Sequence, residues 1–149
     1  MPWLRAGDFP AAPLGDLRTS VASRLSVWHI EGDRSNLKEV VAALAATRDH
    51  ADKFDFALFP EGVLQEAQIR AEVTRGDSLD LAANQKWHRD LVELSSAKLV
   101  RLAELIHLQG QIERLLENEV TELIREGVEA GQLDQRRLND QLRIDVLGA

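Results

Sequence analysis

The chain contains no cysteine among its 149 residues. Disulfide frameworks, thiolate metal sites and a cysteine nucleophile are thereby excluded, and nothing points to an oxidising compartment. Tyrosine is also missing, and no apolar run reaches membrane-spanning length. The first ten residues hold no uninterrupted apolar stretch of the signal-peptide kind, so the expected location is cytoplasmic. Glycine-rich phosphate cradles are lacking, as is the Gly-x-Ser-x-Gly elbow that exposes a nucleophilic serine. Among His29, His50, His88 and His107 no pair falls at i, i+4, so one helix offers no paired metal ligands. No metal and no cofactor are expected.

What is present is acidic. Lysine and arginine together number 18 against 25 aspartates and glutamates, a formal charge of −7. Nucleic-acid binding rests on a concentrated basic face that neutralises phosphates, so this balance argues against it, and against an anionic membrane surface. An acidic surface suits a basic protein partner. Arginine outnumbers lysine fourteen to four, which suggests a GC-rich bacterial genome. A chain of this length buries on the order of 70% of its unfolded surface, enough for a core without staples.

Three of the four prolines (Pro2, Pro10, Pro13) fall within residues 1–22, where each fixes φ and removes a donor. Trp3, Leu4 and Phe9 in the same stretch are too apolar for a solvated tail. An extended arm that packs on its own domain or on a partner is the expectation for 1–22. Residues 23–76 read as a small α/β unit. Arg24 to Glu31 is β-rich and Gly32-Asp33 signals a turn. Asn36 and Glu39 have capping-box spacing before an apolar stripe of Leu37, Val40, Val41 and Leu44. Phe54, Phe56 and Leu58 alternate as a strand, a short helix follows Glu61, and Ile69, Ala71 and Val73 alternate as a third strand.

Residues 77–149 read as a helical region that forms one compact domain with 23–76. Ser78 would cap a helix running to Gln109, whose apolar track Trp87, Leu91, Leu94 shifts at Ser95-Ser96 to Leu99, Leu102, Ile106. That shift implies a bend or a change of packing partner. A second helix carries Ile112, Leu116, Val120, Leu123, Ile124 and Val128, and a last one, capped by Asp134, carries Leu138 and Leu142. The fold class expected is α+β: an N-terminal β-α-β(-α-β) unit, then a predominantly helical half whose short links make neighbouring helices antiparallel.

Arg101 and His107 lie six residues apart in this helical region, a spacing that resembles the arginine–histidine pair of HEPN ribonucleases. The resemblance implies an RNA-cleaving helical dimer. The family's usual polar residue after the arginine is replaced here by Leu102, and six helical residues put the two side chains about 120° apart. Arg136, Arg137 and Arg143 make a basic spot that Asp134 and Asp140 offset. Trp28 and Trp87 read as core residues, and Trp3 as an interface anchor.

The reading that absorbs most of these features is a non-enzymatic subunit or accessory protein of a bacterial multi-protein assembly. Its contacts would come from Trp3, Leu4 and Phe9 in the arm, from Leu99, Leu102 and Ile106 on the shifted stripe, and from Glu119, Glu122 and Glu126 on an acidic helix face. Self-association through the same helices is equally consistent. An immunity or antitoxin protein that blocks a basic toxin is the alternative.

Overall fold

The computed structural model describes residues 24–148, so Trp3, Leu4 and Phe9 lie outside the described residues. In chain order the elements are β1 (Leu25–Trp28), α1 (Leu37–Ala45), β2 (Phe54–Leu58), α2 (Gly62–Glu66), β3 (Arg70–Val73), α3 (Leu81–Lys86), β4 (His88–Val92), α4 (Ser96–Gln109), β5 (Gln111–Leu115), α5 (Glu117–Glu129), a 3-10 turn (Gln135–Arg137) and α6 (Asp140–Leu147). The fold class is α+β, with strands and helices alternating through the N-terminal part and helices predominating in the C-terminal half.

The chain divides into two compact units, each gathered from separate stretches. The first comprises residues 24–27, 55–73 and 89–113. Its three-stranded sheet has the order β1-β4-β3, and a two-stranded ribbon joins β2 to β5. β3 runs antiparallel to β4, with Ala71 opposite Leu91 and Glu72 opposite Asp90. α2 packs against α4. The core joins Val63, Ala67, Ile69, Leu91, Leu102, Leu105 and Ile106, with Leu64 against its edge. Leu102 is buried because the i, i+3, i+4 spacing from Leu99 keeps one face of α4 apolar.

α2 ends in a paired hydrogen-bond stop. Ile69 N–H donates to Leu64 O (2.9 Å) and Gln68 N–H to Gln65 O (3.0 Å). The chain turns there through Gln68 at φ 56°, and Ile69 belongs to the core against which Leu64 packs. This is the Schellman arrangement, with glutamine in the left-handed position that favours glycine.

The second unit comprises residues 28–54, 74–88 and 114–148. Here α1 packs on α5 and on α3, and α5 packs on α6. Val40, Val41, Val120, Ile124, Leu142 and Val146 are all buried. Gln132 Nε2 donates to Glu39 O (2.9 Å), tying the exit of α5 to the first turn of α1. The entry to α3 is a closed polar network. Asn84 Oδ1 accepts from Ser78 N–H (2.9 Å) and Ser78 Oγ–H (2.6 Å), while Asn84 Nδ2 donates to Ser78 O (2.9 Å). Asp80 caps α3 by accepting from Ala83 N–H (3.0 Å).

Four expectations of helix extent and capping are corrected. The single helix over Ser78–Gln109 is three elements, α3, β4 and α4. Ser95-Ser96 is a helix start rather than a bend, since Ser95 Oγ accepts from Lys98 N–H (3.2 Å) and Glu93, two residues earlier, takes φ 55°. The helix placed over Ile112 to Val128 begins only at Glu117: Ile112 lies in β5, and Leu116 precedes α5. Leucine has no side-chain acceptor, so only half a capping box forms there, with Glu119 Oε1 accepting from Leu116 N–H (3.2 Å). Asp134 caps the 3-10 turn, whereas α6 is capped by Asn139.

Candidate functional site

In the second unit a wide-open cleft of about 430 Å³ is lined by Glu31, Gly32, Asp33, Ser35, Asn36, Glu39 and Trp87. Its construction begins where the chain leaves β1. His29 N–H donates to Trp87 O (2.7 Å), which fixes the indole-bearing residue beside the β1 exit. Asn36, only 3% exposed, then braces the following loop from inside. Its Oδ1 accepts from Glu31 N–H (2.7 Å) and its Nδ2 donates to His29 O (2.9 Å). The side chain is thus turned back into the loop and does not cap α1, which overturns the capping-box expectation.

At the loop tip Asp33 Oδ1 accepts from Ser35 N–H (3.0 Å). That backbone donor, helped by the Ser35 side chain, holds the Asp33 carboxyl below the ordinary aspartate range. Arg34, between them, takes φ 60°, a conformation unfavourable to a residue with a Cβ. Glu31, Asp33 and Glu39 are exposed, and among the described residues no basic one lines the cleft. Trp87 is half-buried, and Lys86 Nζ stands 5.9 Å from its ring centroid. The lining therefore offers carboxylate acceptors and an aromatic ring, groups that recognise guanidinium and ammonium ions.

A second acidic feature of this unit is α5, with five glutamates and one arginine. Glu119, Glu122 and Glu126 are all exposed. Glu119 is engaged at the helix start, and Glu122 pairs with Arg125 at 2.6 Å. The other sequence candidates fall elsewhere. Leu99, Leu102 and Ile106 are 9%, 1% and 6% exposed, interior to the first unit, while the exposed leucine of α4 is Leu108. Arg101 and His107 are exposed on α4, with Arg101 paired to Glu104 at 3.4 Å. α4 lies in the chain between two strands, so the surroundings differ from the helical ones that the ribonuclease resemblance implied.

His29 and Glu31 approach to 3.8 Å beyond the end of β1. Among the described residues no group of three histidine, aspartate or glutamate side chains is arranged to hold a metal ion, and no helix is long and apolar enough to cross a membrane. Arg136 is taken up by Asp134 (2.9 Å) and Arg143 by Asp140 (2.6 Å), so two members of the basic spot are ion-paired. Sequence reasoning did not find the cleft because Trp87 reads as a core residue of a long helix and Asn36 as a cap. The Gly32-Asp33 turn was the one available signal. The chain matches no known family model, and neither the curated proteins nor the solved structures offer a match.

Proposed function

We propose that the chain is a non-enzymatic interaction subunit or accessory protein of a multi-protein assembly, and that its second unit receives a basic segment of a protein partner. The observation that carries this reading is the cleft: three exposed carboxylates and a half-buried indole, with no cation among the described lining residues. The glutamate face of α5 and the net charge of −7 support it. Opposite charge steers association and raises its rate, and the effect weakens as salt shortens the Debye length. A toxin-neutralising role is the same recognition with a basic toxin as the partner.

The test has two stages. A partner is captured from native cells by cross-linking to the tagged chain, then purified and titrated against three proteins: the parent, a cleft variant (Glu31→Lys, Asp33→Lys, Glu39→Lys) and an α5 variant (Glu119→Lys, Glu122→Lys, Glu126→Lys). Circular dichroism establishes that each is folded. Affinity should fall at least tenfold in the cleft variant, and the parent's binding should weaken steeply as salt is raised. Equal, salt-independent binding by all three proteins would overturn the proposal.

A further inference from the structure

We draw no further inference here: the strongest candidate, the outer edge of the three-stranded sheet at β3, where Val73 stands 71% exposed, is a strand edge for which nothing in the structure shows what covers it.

Discussion

Trp28 and His88 meet edge to face, with ring centroids 5.0 Å apart and ring planes inclined at 75°. Gly76 lies against both. A Cβ there would come within 2.6 Å of Trp28 Cη2 and 3.0 Å of His88 Cβ. His88 has little room to retreat, being 4% exposed with its Nδ1 2.9 Å from Thr74 Oγ1, whereas Trp28 is half-buried. Gly76 is itself anchored, donating its N–H to Asn84 O (3.0 Å). Gly76→Ala therefore overpacks a crowded site and should cost about 1–3 kcal/mol. Urea unfolding measures it, and a loss under about 0.5 kcal/mol would mean that the ring pair yields more easily than its contacts imply.

The left-handed glutamine at the end of α2 gives a prediction of opposite sign. The same stop recurs after α5, where Gln132 N–H donates to Gly127 O (2.9 Å) and Gly131 N–H to Val128 O (3.1 Å), but there glycine takes the positive φ, at 77°. A Cβ in this conformation crowds the following carbonyl, at a cost of roughly 1–2 kcal/mol. Glycine removes that clash but adds freedom to the unfolded chain. Gln68→Gly should thus stabilise by a net of about 0.5–1 kcal/mol, and Gly131→Ala should destabilise by a similar amount. Paired denaturant titrations read both, and a destabilised Gln68→Gly protein would contradict the turn geometry.

How much of this was legible in the sequence differs from one segment to the next. β2, α2 and β3 follow directly from the alternation of Phe54, Phe56 and Leu58, from Pro60, and from the alternation of Ile69, Ala71 and Val73. β4 did not show itself because Trp87, Leu91 and Leu94 happen to satisfy a helical period across five residues of strand. Period alone cannot separate a short buried strand from a helix segment. The decisive clue was the track shift at Ser95-Ser96, whose physical meaning is a cap. Asn36 misleads for a related reason: an asparagine before an apolar stripe can cap the helix ahead or bond the loop behind, and only the path of residues 29 to 36 decides. The cleft depends on that path and on Trp87 meeting His29, a contact between distant stretches that no local pattern encodes.

Asp134 sets a pH dependence whose sign can be worked out. Its Oδ1 accepts from Arg136 Nε (3.1 Å) and its Oδ2 from Arg136 Nη2 (2.9 Å). The Arg136 backbone N–H also donates to Oδ1 (2.9 Å). The side-chain bonds first, and the backbone bond second, hold the carboxyl below the ordinary aspartate range. Between the unfolded and the lower folded value, the unfolded chain binds more protons, so acid favours unfolding. The contribution is complete above the ordinary range and is lost as pH falls through the folded value. Carboxyl-carbon NMR titration should place the Asp134 midpoint low, and Arg136→Gln should raise it part of the way, because the backbone donor remains. An unmoved midpoint in the variant would show that the guanidinium is not the cause.

Leu102 distinguishes an interior stripe on α4 from a docking one. The side chain is 1% exposed and belongs to the core with Val63, Ile69 and Leu91. Truncation to alanine removes buried methylene contacts and leaves a cavity that the two neighbouring helical turns cannot fully close, which costs about 2–5 kcal/mol. Leu108, at 73% exposed on the same helix, has little to lose, and Leu108→Ala should stay within about 0.5 kcal/mol of the parent. The two variants therefore separate the roles by stability alone, before any partner is in hand. A Leu102→Ala protein as stable as the parent would mean that this face is not held in the interior, and it would return Leu99, Leu102 and Ile106 to the candidate contact surface.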